Sequence, residues 1–362
     1  MRTTVALSVL LCRSLPTSSF MTTVFIENSN ASLIPCKAIM VWSDLARAVL
    51  DVVPEALVTS TPRVAKDSDY AGAVQKIWKQ EQSTKLVSEF CCHRYETKDG
   101  YQFYGTLIRR KREEGAFANV PGLLFFHTGA GPNDVCLQWK ADALVTNEED
   151  TFPDGCVVLI ADILGDDMGW AWSSDRTRYN AAREFVLAPD GSGTRMQLQS
   201  TIMAAVNALK SVPGVDESRL ASLGWCLGGH AVLELGRMKI PEMKAMVTFH
   251  GVFDGIAPPE GENEVGGCKV LICNGVDDPF VTKAALDNSI ATFSRHGHAV
   301  EVLRLQGARH GFTNPAQDFN PNEAFAYNDD AAKTAWTATL SLLKSELCCG
   351  DESHNVQPLL HT

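Results

Sequence analysis

No stretch of this chain approaches the ~20 consecutive apolar residues that a helical membrane span needs, so no span is expected. Positive charge is scarce too: 32 Lys and Arg stand against 43 Asp and Glu, a formal net charge of -11. Nucleic acid and anionic membrane surfaces both select basic patches, and neither is an expected partner. There is no low-complexity tract and no Cys-x-x-Cys pair. The eleven cysteines include the doublets Cys91-Cys92 and Cys348-Cys349, which lack zinc-knuckle spacing and pair poorly within themselves. The pattern fits a reduced, cytoplasmic protein that uses cysteine as a small apolar side chain, with no metal and no cofactor expected.

What the chain does have is length and apolar content. Its 362 residues, 45% of them hydrophobic, suffice for one large domain or two modest ones. Residues 1–26 carry Arg2, Arg13, many Ser and Thr, and no acid before Glu27. That suits a targeting segment, which would make the location organellar, and equally suits an extension ahead of a start at Met21. Residues 27–87 show mixed helical periodicity broken by Pro54, Pro62 and Asp67-Ser68-Asp69, and read as a helical extension.

From about Ser88 the pattern changes. Cys91 to Glu96 and Tyr101 to Arg109 read as a hairpin across Asp99-Gly100. Continuous apolar runs follow at 121–126, 156–161, 220–225, 245–249, 270–273 and 299–303, the mark of strands buried on both faces of a parallel sheet. Helical stretches are expected over 194–209, 230–238, 281–296 and 329–346, and a tail over 348–362. The order predicts an α/β chain: a mostly parallel, doubly wound sheet with antiparallel N-terminal strands, spanning 88–347.

Within that frame, Leu223-Gly224-Trp225-Cys226-Leu227-Gly228-Gly229-His230 reads as a nucleophile elbow, Gly-x-Nu-x-Gly between strand and helix, with a thiol as nucleophile. A thiol doing acyl transfer needs a base, a group that orients the base, and donors for the oxyanion. The base candidate is His310, in the glycine-flanked loop Gly307-Ala308-Arg309-His310-Gly311-Phe312. The acid comes from Asp277-Asp278-Pro279-Phe280-Val281, with Asp278 favoured over Asp277 because it directly precedes Pro-Phe-Val. Chain order is then nucleophile, acid, base, as in α/β-hydrolases.

One oxyanion amide is expected from Leu227, at a helix N-terminus that also lowers the thiol pKa. The other is expected in His127-Thr128-Gly129-Ala130-Gly131, at Gly129. No Lys-Ser/Thr follows the elbow glycines, which excludes a phosphate-binding loop. His230 and His250 read as packed histidines, and the Asp166-Asp167 pair lacks partner histidines for a metal.

Cysteine in the elbow, Asp before Pro-Phe-Val and Gly-x-x-His-Gly-Phe together resemble the dienelactone hydrolase (carboxymethylenebutenolidase-like) family. The resemblance covers roughly residues 88–347 and includes Phe249-His250-Gly251 and Phe312-Thr313-Asn314-Pro315. It implies an α/β-hydrolase fold, a Cys226-Asp278-His310 triad, and hydrolysis of a small ester or lactone through a thioester.

Two departures stand out. Founding members carry a glutamate where this chain has Thr128, and an arginine that holds the substrate carboxylate where it has Asn314. Arg176, Arg178 and Arg309 are the candidates to replace that cation. The loss of the glutamate motivates a second reading, a non-catalytic or redox-sensing thiol on the same scaffold.

Overall fold

The computed structural model describes residues 88–348, apart from short internal stretches at 111–118, 130, 133, 147–149, 166–176, 190–193, 256–260, 262, 315–316, 318–319 and 321. The segments 1–26 and 27–87, the tail beyond 348, the Asp166-Asp167 pair and Arg176 lie outside the described residues.

Eight strands form one sheet in the order β1-β2-β4-β3-β5-β6-β7-β8. They are β1 (Ser88–Glu96), β2 (Gln102–Arg110), β3 (Val120–Phe126), β4 (Val157–Ala161), β5 (Val215–Trp225), β6 (Met243–Phe249), β7 (Lys269–Gly275) and β8 (Ala299–Leu305). The β1–β2 and β2–β4 pairs are antiparallel; every other pair is parallel. The expected mostly parallel sheet with an antiparallel start is therefore the observed one.

The described helices are α1 (Val135–Thr146), α2 (Thr177–Leu187), α3 (Met196–Lys210), α4 (Gly228–Met238), α5 (Lys283–Arg295) and α6 (Asp329–Leu347). Two of them, α1 and α2, escape the sequence reading. In α1, VCLQWKADALVT presents no clean apolar stripe, whereas the polar α2 buries only Val186 and Leu187.

The sheet separates two apolar layers. Leu124, Phe126 and Leu159 pack with α3, α4 and α5 through Leu198, Ile202, Val232 and Phe293. Leu123, Phe125 and Val158 pack on the other face with α1 and α6 through Leu137, Leu144, Ala335 and Leu343. Consecutive residues of one strand thus serve opposite cores, which explains the unbroken apolar runs. The outer strand β8 is less buried, with Glu301 and Arg304 exposed, and has a neighbour on one side only. Strands β3, β5, β7 and β8 all run parallel, so the loops that leave them gather at one edge of the sheet, where open α/β sheets hold ligands.

Candidate functional site

Cys226 sits between β5 and α4 with φ +52°, a left-handed conformation that a non-glycine residue adopts only when its surroundings enforce it. The flanking glycines permit this turn. A Cβ on Gly224 would lie 2.3 Å from the Gly228 carbonyl oxygen, and one on Gly228 would lie 2.3 Å from that of Phe126. The turn is pinned by Cys226 N–H donating to Phe249 O (3.2 Å) and by Cys226 O accepting from Gly229 N (3.0 Å) and Val252 N (2.9 Å). Its side chain is partly exposed at the sheet edge.

His310 lies in the loop after β8 and is buried. Its Nδ1 donates to Asp278 Oδ2 at 2.8 Å, while Asp278 Oδ1 accepts the Phe280 N–H at 2.9 Å. Both carboxylate oxygens are therefore engaged, and Asp278 is held between His310 and the turn that precedes α5. Asp277 is exposed, and its N–H donates to Ala308 O (3.1 Å), tying the acid loop to the histidine loop.

The histidine loop is clamped a second time by the segment ahead of α6: His310 N donates to Ala324 O, and Ala326 N to His310 O. Three rings stand around the imidazole, His250 and Phe280 with centroids at 4.9 Å and Phe325 at 5.2 Å.

With Nδ1 committed to Asp278, the other imidazole nitrogen is the one that bonds to the Cys226 sulfur. The sulfur also receives the backbone N–H groups of Leu227 and Gly129. Burial opposes a thiolate here, but the His310 charge, its hydrogen bond and the two amides outweigh it, and the thiol pKa falls below its ordinary value. For His310, burial disfavours the cation, yet the Cys226 and Asp278 charges prevail and raise its pKa. The two shifts run in the directions that favour a thiolate beside an imidazolium. The other candidate thiols behave oppositely: burial pushes Cys136 and Cys268 up to about 12.

Thr128 supplies no charge to this arrangement. Its hydroxyl donates to Asp134 Oδ2 (3.0 Å), and Asp134 is itself a buried carboxyl whose pKa burial raises. Asn314 caps a turn through its N–H to Gly311 O (2.9 Å). Arg178 and Arg309 are both exposed, and Arg309 donates to Glu323 O.

His250, read from the sequence as a packed histidine, stands against the His310 ring, whereas Arg195 was not anticipated. His250 is buried with φ +40°, its Nε2 lies 3.1 Å from Thr313 Oγ1, and burial plus the nearby His310 charge push its pKa well down. His230, one turn into α4, is the packed histidine the sequence suggested, but it packs against ions. Arg195 Nη1 donates to its Nδ1 (2.7 Å), and its Nε2 donates to Asp254 Oδ1 (3.1 Å), which Arg183 also holds (3.0 Å).

With both nitrogens so used the ring is neutral, and burial, reinforced by the Arg195 and Arg183 charges, lowers its pKa to about 4. Nothing local in the sequence flags Arg195. Among the described residues no group of three His, Cys, Asp or Glu side chains is arranged to hold a metal, and no helix is long and apolar enough to cross a membrane.

Comparison with known proteins bears on the fold and on the class of reaction. A protein of Caenorhabditis elegans described only as uncharacterized is 31% identical over 41% of this chain and 93% of its own length. A protein of Bradyrhizobium sp described as a probable 2-oxo-3-(5-oxofuran-2-ylidene)propanoate lactonase is 28% identical over 40% of this chain and 58% of its own. The solved structure of a dienelactone hydrolase-like promiscuous phosphotriesterase from metagenomic libraries superposes with a TM-score of 0.59 at 27% identity, covering 72% of this chain and 99% of that one. The model of the dienelactone hydrolase family matches residues 142–347. The chain belongs to the dienelactone hydrolase family, an α/β-hydrolase of the ester- and lactone-hydrolysing class.

Proposed function

We propose that this protein hydrolyses small carboxylic esters or lactones with Cys226 as nucleophile, His310 as acid and base, and Asp278 as the group that orients His310. The observation that carries the reading is the convergence on one sulfur, at a left-handed turn, of His310 and the amides of Leu227 and Gly129. In the first step the thiolate attacks the carbonyl carbon, and the developing oxyanion takes over the two amide N–H groups. As the tetrahedral species collapses, the C–O bond to the leaving alkoxide breaks and the His310 imidazolium gives it a proton, leaving a thioester and a neutral imidazole.

Water then enters. His310 removes its proton while the oxygen attacks the thioester carbonyl, and collapse expels the Cys226 thiolate beside a restored imidazolium. No external oxidant, reductant or metal enters this balance. The thiols Cys136, Cys156, Cys268 and Cys273, none of them in a disulfide, fit a reducing cytoplasmic setting, and the hydrolase unit runs over 88–347.

Cys226→Ala abolishes turnover of p-nitrophenyl acetate, and mass spectrometry of the parent after brief exposure to lactones and esters finds an acyl mass on the Cys226 peptide. A phosphotriester belongs in the same panel, given the activity named for one relative. Parental turnover by Cys226→Ala sinks the mechanism. The redox-sensing alternative predicts no ester turnover under reducing conditions, so hydrolysis in dithiothreitol eliminates it.

A further inference from the structure

His127 is fully buried at the end of β3, one residue before the loop that carries Gly129. Its two nitrogens are assigned by their neighbours. Nε2 lies 3.1 Å from the backbone N–H of Ile163, a group that can only donate, so Nε2 holds a lone pair and the ring proton is on Nδ1. That Nδ1–H donates to the Thr128 carbonyl oxygen at 2.5 Å. The same oxygen accepts the Gly131 N–H at 3.2 Å, from a glycine at φ +92°. Asp162 Oδ1, which stands 3.5 Å from Nε2, is occupied by the N–H groups of Leu164 and Gly165.

The Thr128 carbonyl and the Gly129 N–H belong to one peptide unit. No cis bond occurs in the described chain, so the two dipoles point in opposite directions. Fixing the carbonyl toward the His127 ring therefore fixes the N–H away from it, and that N–H is one of the two amides on the Cys226 sulfur. We propose that His127 is a positioning residue for the oxyanion hole: through its Nδ1–H it sets the plane of the 128–129 peptide and aims the Gly129 amide at the reacting carbonyl. The proposal rests on the ester- and lactone-hydrolase reading. It adds a relay that starts at the backbone of Ile163, passes through a neutral imidazole, and ends at a donor which contributes no side chain.

Three substitutions separate the parts of this relay. His127→Leu removes the donor; His127→Asn keeps a side-chain N–H near the Nδ1 position; His127→Gln reaches toward Ile163 instead and leaves the Nδ1 position empty. Loss of an entire oxyanion donor reduces kcat by about 10²–10³. Because Gly131 still holds the carbonyl, His127→Leu should lower kcat about 10- to 100-fold, with KM within about threefold of the parent.

His127→Asn should recover most of that loss and His127→Gln should not, a contrast that survives if the leucine variant fails to fold. Alkylation of Cys226 by iodoacetamide needs the thiolate, which His310 and the Leu227 amide still favour, but no oxyanion donor, so it should fall far less than kcat. Parental kcat in His127→Leu, equal rates in the Asn and Gln variants, or alkylation that falls in parallel with kcat would each overturn the proposal. Cys226→Ala run beside them keeps the two claims apart: if it stays active the nucleophile assignment fails, and if it is dead while the His127 variants match the parent, only the positioning role fails.

Discussion

His230 makes the elbow helix sensitive to acid, and the size of the effect follows from its surroundings. The ring is wholly buried, accepts from Arg195 on one nitrogen and donates to Asp254 on the other. A proton added to Nδ1 would leave two donors face to face, with Arg183, Arg195 and Arg237 near and only Asp254 and the buried Glu234 to offset them. Glu234 is already engaged by Gln199 and Arg237.

In the unfolded chain His230 titrates at its ordinary 6.5, whereas in the fold the value is about 4. The folded pKa is the lower one, so as pH falls below about 6.5 the unfolded state takes up a proton that the native state refuses until about pH 4. At about 1.4 kcal/mol per pH unit, the native state loses on the order of 3 kcal/mol across that window, and nothing further below it.

The assay is urea unfolding of the parent and of His230→Gln at pH 7.5 and pH 4. Glutamine removes the titration and can still accept from Arg195. At pH 7.5 the variant should be less stable by about 1–3 kcal/mol, the usual effect of disturbing a buried polar contact. At pH 4 that deficit should shrink by about 3 kcal/mol, so that the variant equals or exceeds the parent. A deficit that is the same at both pH values refutes the argument, because the other buried histidines titrate identically in the two proteins.

Two further outcomes follow from the elbow. Alkylation of Cys226 should rise less steeply with pH than that of a thiol titrating at 9.0, which gains nearly tenfold from pH 7 to pH 8; a slope like the latter, measured by iodoacetamide kinetics, would refute the lowered thiol pKa. In Gly228→Ala the new methyl meets the backbone of Phe126, which leads into the oxyanion loop. The variant should lose about 100-fold in kcat/KM and about 5 °C in Tm, and wild-type values for both in ester kinetics and calorimetry would mean that strand and helix are not in close contact.

The sheet was legible because a strand buried on both faces needs apolar residues without alternation, and β3, β4, β6, β7 and the second half of β5 have them. Helix α6 was legible from its amphipathic run. Helices α1 and α2 were not: the first is apolar on too many sides, and the second owes its place to the few residues it buries. At the site, motif spacing identified groups that each sit next to a glycine or proline turn. It could not reach Arg195 or the segment 324–326, whose roles depend on which loops meet in space. His127 was visible as the first letter of His-Thr-Gly-Ala-Gly, but only the direction of the 128–129 peptide gives it meaning.

The double clamp on the histidine loop has a consequence for the order in which a nascent chain becomes reactive. Cys226 leaves the ribosome well before His310, and His310 is held in place by backbone from 324–326, just ahead of the last helix. Without that segment His310 loses both backbone bonds that hold its loop, and the sulfur loses the charge that lowers its pKa against burial. If Cys226 is the nucleophile, a chain cut short of residue 324 should keep an ordinary thiol at the elbow, because the segment that fixes His310 is missing.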